Sequence, residues 1–174
     1  MAGDIKLKYG AATTAMTVTN LHSLAASSTW VAGWTSASVT NTSNAYFDYM
    51  VSATFTTHAS NRQAGTVELW ILAALNDTPT WPATASGTVG TEGALSFTAA
   101  EQKYSYGRLL TAFAVTNTAS QIYVVPPIGI RSLFRACPTH WALFVTGNAA
   151  TTTAAQFASS GSAVYYTPIL AQYT

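Results

Sequence analysis

The sequence predicts an all-β protein, an antiparallel β-sandwich of the jelly-roll kind with long loops and at most one or two short helices. Three observations carry this expectation. Apolar residues recur with a period of two wherever a period can be read. Thr and Val, stiff at the first side-chain torsion, are frequent where a helix would need unbranched residues. Pro and Gly punctuate the chain at short intervals. With no internal repeat and no linker, the pattern predicts a single domain over residues 13–174, preceded by an N-terminal arm over 1–12.

The clearest strand lies at 45–56. One parity carries Ala45, Phe47, Tyr49, Val51, Ala53 and Phe55, and the other carries Tyr46, Asp48, Met50, Ser52, Thr54 and Thr56. An extended chain sends alternate side chains to opposite faces, so the first set faces a core. Residues 66–75 repeat the arrangement with Val67, Leu69, Ile71, Ala73 and Leu75. The polar stretch 58–65 between them, ending in Gly65, reads as a hairpin-type connection. Residues 13–20 and 30–40 read as earlier strands, and 108–117, 121–125, 140–146 and 162–170 as later ones. Pro79 and Pro82 with Gly87, Gly90 and Gly93 mark a long excursion over 76–93. Helical signals are weak, because no apolar stripe at i, i+3, i+4, i+7 stands opposite a charged face. The Ala-rich segment 148–159 reads as a short helix or, given its run of three Thr, as a loop; a turn at 98–103 is the other helical candidate. Roughly eight short strands with irregular loops and no crossover helices fit a jelly roll.

Composition bounds the function. Of 174 residues, 49% are hydrophobic and 7% charged, against roughly 25% charged in ordinary domains. Five Trp, nine Tyr and seven Phe can fill a core, which excludes a disordered chain. A net charge of +1 gives copies little mutual repulsion. The surface therefore suits an oligomer or assembly subunit, and equally a monomer rich in hydroxyls. Seven basic and six acidic residues form no basic stripe beyond the small pairs Lys6/Lys8 and Arg131/Arg135, so no nucleic-acid partner is expected. No stretch is long and apolar enough for a membrane helix, and no membrane partner is expected. The first ten residues lack the apolar region of a secretory signal, so synthesis in the cytoplasm is expected. The single cysteine, Cys137, excludes an intramolecular disulfide and reads as a buried, inert thiol.

Reactive groups do not cluster along the chain. His22, His58 and His140 stand apart, and none has metal-ligand spacing. Asp4, Asp48, Glu68, Asp77, Glu92 and Glu101 are scattered singly. Asp48 and Glu68 share the non-core parity of what read as adjacent strands. They suggest either a glycosidase-like acid/base pair or two solvated or Arg-paired acids. No nucleophile elbow, phosphate loop or Cys–His signature is present. The expectation is a protein that is not an enzyme and has no catalytic residue, cofactor or metal. The aromatic residues remain. Trp30, Trp34 and Trp81 lie in or beside loops, where they suit stacking on a sugar or anchoring an interface, whereas Trp70 and Trp141 read as core.

Several segments carry a resemblance. They are Gly3-Asp4-Ile5-Lys6-Leu7-Lys8-Tyr9-Gly10 before a Thr-rich strand, Asn44-Ala45-Tyr46-Phe47-Asp48-Tyr49, and Gly65-Thr66-Val67-Glu68-Leu69-Trp70. Tyr123-Val124-Val125-Pro126-Pro127, His140-Trp141-Ala142-Leu143-Phe144-Val145, and Val164-Tyr165-Tyr166 with Ala171-Gln172 extend it. Together they resemble small virion structural proteins of tailed bacteriophages, many of them marine or cyanobacterial phages. The likeness covers most of the chain as a pattern of strand cores and turns, and it departs in the Trp81 loop and at 131–137. It implies a head decoration or cement protein: a jelly-roll-like subunit, commonly a homotrimer, bound to the major capsid protein on the outer head surface of the virion. It carries over no functional residue.

Candidate partner contacts come from the chain itself. Asp4, Ile5, Lys6 and Lys8 of the arm, Tyr165, Tyr166 and Tyr173 near the other end, and Trp81 are the candidates, because free termini with β propensity add strands to open sheet edges. The alternative function is a head-fibre or tail-tip adhesin that binds host surface glycan through the loop aromatics.

Overall fold

The computed structural model describes residues 4–10, 12–24, 26–74, 76, 78–81, 85–148 and 156–173. Its strands in chain order are β1 (Ile5–Tyr9), β2 (Thr14–Ala15), β3 (Ala32–Thr35), β4 (Val39–Thr40), β5 (Asp48–Thr56), β6 (Gly65–Ala74), β7 (Ala85–Ser86), β8 (Gly93–Phe97), β9 (Gly107–Val115), β10 (Ile122–Gly129), β11 (His140–Gly147) and β12 (Ala163–Tyr173). Two short helices, α1 (Gln102–Tyr106) and α2 (Arg131–Phe134), and one 3-10 turn at Leu21–Ser23 complete the regular structure of the described residues.

The named strands pair antiparallel throughout, in two sheets. The first runs β1–β12–β5–β10, with β2 continuing the β1 side along β12. The second runs β7–β8–β3–β11–β6–β9, with β4 continuing β3 along β11. Apart from the β7–β8 addition, the chain alternates between the sheets, with β6 and β9 consecutive in the second. This is the order of a jelly roll.

The sandwich follows from the two-residue period. Tyr49, Val51, Ala53 and Phe55 of β5 are buried, facing Val67, Leu69 and Ile71 of β6 and Leu143 and Val145 of β11. Trp141 lies fully buried between Tyr49 and Tyr166, with ring centroids 5.5 and 5.6 Å away. Sequence and structure differ at 58–65. That segment joins β5 to β6 across the two sheets and is not a hairpin. The His58 ring accepts hydrogen bonds from the Ser60 and Asn61 N–H groups at 3.0 Å, closing a local turn. The same polar turn residues serve a hairpin and a sheet-to-sheet crossing, so the sequence does not separate them.

A second apolar cluster covers the outside of the second sheet. Trp70, Leu72, Ala142 and Phe144 sit on the parity of β6 and β11 that faces away from the sandwich core, yet all are buried. Val89 from the excursion and Leu95 and Phe97 of β8 close over them, with Trp81 and Val31 packed at the margin. Gly90 permits the approach of Trp81. Its φ of +83° is left-handed, and a Cβ there would stand 3.2 Å from the Trp81 indole nitrogen. The turn expected at 98–103 is realised as α1, slightly later. Most of the 148–159 candidate, 149–155, lies outside the described residues.

Candidate interaction surface

The segment read as an N-terminal arm contributes β1, a strand of the first sheet. Ile5 pairs with Tyr173, Leu7 with Ala171 and Tyr9 with Ile169. On its other side β12 meets β5, but that ladder ends at Ile169 opposite Asp48. Beyond Ile169, β12 has β1 as its sole ladder neighbour among the described residues. Residues 5–8 and 170–173 therefore form a two-stranded ribbon that extends past the sheet.

The ribbon has two unlike faces. Ile5, Leu7 and Tyr9 lie on one and are 74%, 60% and 66% exposed. Lys6 and Lys8 lie on the other, opposite the uncharged Gln172 and Leu170. A two-stranded ribbon is marginal alone in water, and covering side chains of this size stabilises by about 1 kcal/mol or more apiece. This face invites a cover.

The apolar face continues onto the sheet. Leu7, Tyr9, Phe47, Met50 and Ile169 surround a pit of about 260 Å³, with Lys8 and Asp48 adding charge to its lining. That is below the roughly 300 Å³ at which small-molecule pockets begin, and suits a single protruding side chain. The Arg131 guanidinium lies 3.6 Å from the centre of the Phe47 ring, a close cation–π contact that steadies one wall. A groove of about 460 Å³ shares Tyr9 and Met50 and runs on over Thr13, Ser52 and Thr167.

The partner contacts expected from sequence fall into four groups. Asp4, Ile5, Lys6 and Lys8 are exposed at the ribbon, and Tyr165 lies on the outer parity of β12, 39% exposed. Tyr166 turns inward, edge-on to Tyr49 and Trp141. Tyr173 pairs through its backbone with Ile5, and its side chain lies outside the described residues. Trp81 is half-buried on the second cluster, on the opposite side of the sandwich. Leu7, Tyr9 and Met50 complete the surface without having been singled out as contacts, and Phe47, expected on the core-facing parity, precedes β5 and lines the outer pit instead. The alternation Ile-Lys-Leu-Lys-Tyr carried the signal for the first two.

Other polar groups are engaged elsewhere. Asp48 and Glu68, considered as an acid/base pair, belong to different sheets and to opposite outer faces. Asp48 accepts from the Tyr49 and Arg131 N–H groups at 2.7 and 2.8 Å. Glu68 accepts from the Trp70 indole at 2.8 Å and from Lys103 at 3.0 Å. Lys103, almost fully buried, also lies 4.7 Å from the Trp70 ring centre, pinning α1 to the second sheet. Trp34 is buried and donates to Glu92 at 2.7 Å. Burial pushes the Glu92 carboxyl up, but hydrogen bonds from Trp34 and Asn20 and the nearby His22 more than offset it, and the net shift is downward. Burial lifts the Cys137 thiol to about 12, aided by Asp48. Among the described residues no three His, Cys, Asp or Glu gather as metal ligands.

Two other open grooves occur, about 500 Å³ beside β3 and β8 and about 670 Å³ beside Arg108 and Arg135. No helix of the described residues is long and apolar enough to cross a membrane. Compared with family models, with curated proteins and with solved structures, the chain gives no significant match.

Proposed function

We propose that this chain is a non-enzymatic structural protein of a tailed-phage virion, a decoration or cement subunit that binds the major capsid protein on the outer head surface as a homotrimer. One observation carries the reading: a ribbon built from both ends of the chain holds Ile5, Leu7 and Tyr9 in solvent beside an apolar pit. A cement subunit works through many weak contacts repeated by lattice symmetry, so a modest apolar patch suffices for stable attachment. The jelly roll is compatible with this role, as it is with lectins, and supports it by analogy alone.

Co-sedimentation with phage heads stripped of their outer proteins tests the reading. Stoichiometric retention of the native protein, lost in the Ile5→Ser/Leu7→Ser double variant, is the expected result. Heads that never retain the native protein would remove the proposal. Light scattering of the free protein checks the trimer.

A further inference from the structure

The open side of β1 is a hydrogen-bonding edge as well as an apolar face. The Gly10 N–H donates to the Pro168 carbonyl at 2.6 Å, so Gly10 turns its main chain toward β12. Main-chain groups alternate direction along an antiparallel strand. Lys6 and Lys8 therefore bond toward β12 as Gly10 does, and the N–H and C=O groups of Ile5, Leu7 and Tyr9 point to the edge that no described strand pairs. Such an edge is a template for another strand, and its side chains decide which strand fits.

A second copy of the chain fits poorly. Antiparallel pairing of the whole strand with its own copy sets Ile5 against Tyr9, Leu7 against Leu7, and Lys6 against Lys8 twice. Directly opposed like charges destabilise a ladder. Nor do the other edges supply acid: β9 (Gly107–Val115) contains none, and β10 (Ile122–Gly129) contains none and is interrupted by Pro126 and Pro127. Asp48, Glu68 and Glu92 are already held by internal donors.

From this we infer that the β1 edge takes an extended strand of a different protein, one with acidic residues at alternate positions facing Lys6 and Lys8 and apolar residues facing Ile5, Leu7 and Tyr9. The inference rests on the reading of this ribbon as the contact surface, and it names the chemistry of the partner. The two lysines both oppose self-pairing of the whole strand and select the partner, so the repulsive and attractive parts of specificity reside in the same side chains.

A blocked peptide of alternating valine and glutamate, with its valine–lysine counterpart, probes the edge. Fluorescence anisotropy should show saturable binding of the acidic peptide by the full chain, weakening as salt rises. The Lys6→Glu/Lys8→Glu variant should bind the acidic peptide at least about tenfold more weakly and prefer the lysine peptide. The Lys6→Gln/Lys8→Gln variant should fall between them. Amide exchange at Ile5, Leu7 and Tyr9 should slow when the acidic peptide is bound.

Equal binding of both peptides, or no binding of either, overturns the inference. So does protection of the same amides that rises with protein concentration and no peptide, which would make a second copy the occupant. The outcomes separate from the decoration reading. Heads that retain the native protein while the peptides fail leave that reading standing and remove the acidic strand. Peptide binding with no retention on heads does the reverse.

Discussion

The outer faces of the two sheets are treated differently. That of the second sheet carries Trp70, Leu72, Ala142 and Phe144, and the excursion between β6 and β9 folds back to bury them. That of the first sheet carries Ser52, Thr54, Thr56 and Thr167 along its middle, where hydroxyls meet water without cost. Its exposed apolar groups lie at two margins, around Leu7, Tyr9 and Met50 at one and at Ile122 and Val124 of β10 at the other, and none of the described chain covers them. The chain thus contains a working example of how it covers an apolar sheet face, and leaves a second face open. The difference leaves exposed apolar groups on the first sheet, those at the β1 end beside a pit, and gives the Trp81 side to internal packing.

The comparison breaks first at the covered face. Phe144 is fully buried and meets Phe97 edge-on at 5.1 Å. Phe144→Ala should cost about 3–5 kcal/mol, as for other large-to-small changes in cores, read as a lower midpoint in urea. A loss below about 1 kcal/mol would mean that the excursion is a loose flap. Lys103→Ala comes next. It leaves Glu68 with the Trp70 indole as its remaining described donor and removes the pin on α1. Because Glu68 keeps some access to water, the loss should be about 2 kcal/mol, below the range for a fully buried pair.

At the open face the ordering reverses. Ile5→Ser/Leu7→Ser changes two exposed side chains and should move stability by less than about 0.5 kcal/mol each, although the proposed function requires it to abolish retention on heads. A large fall in the unfolding midpoint would show that these residues already pack within the monomer. A smaller effect concerns Cys137. With its thiol pushed up to about 12, alkylation by iodoacetamide at pH 8 should be slow in the folded protein and fast in urea. Rapid alkylation of the folded protein would place Cys137 on an open surface.

The sandwich was legible because one rule governs it. In β5 and β6 the parity carrying Tyr49, Val51, Val67 and Leu69 is the buried parity. The rule has no term for a second layer. Trp70 and Leu72 stand on the parity that alternation assigns to water, and their burial depends on residues 89–97, distant in sequence and joined by no local pattern. Pairing of the two ends of the chain was hidden for the same reason. Nothing in Ile-Lys-Leu-Lys-Tyr specifies β12 as its neighbour, although its alternation already marks a strand with one apolar and one basic face. The carboxylates show the converse. Asp48 and Glu68 share a parity in sequence but end on opposite outer faces, because the 58–65 connection crosses between sheets.

The finest test addresses Glu92, which ties Asn20, just before the Leu21–Ser23 turn, to Trp34 of β3. Its carboxylate accepts from the Asn20 backbone and side chain at 2.8 and 2.7 Å and from the Trp34 indole at 2.7 Å. Hydrogen bonds to the charged form hold its folded pKa below the unfolded value, despite partial burial. The stabilisation is therefore complete above the unfolded pKa and is lost as pH falls through the folded one. Glu92→Gln retains one acceptor oxygen but cannot titrate, so the variant should be less stable than the native protein at pH 7, and the gap should close on acidification below the ordinary glutamate range. Because the site is partly solvated, the gap should be small and should shrink with salt. Parallel stability curves for the two proteins across that range would mean that Glu92 bonds equally well as acid and as carboxylate, leaving its charge no role in fastening the turn to the sheet.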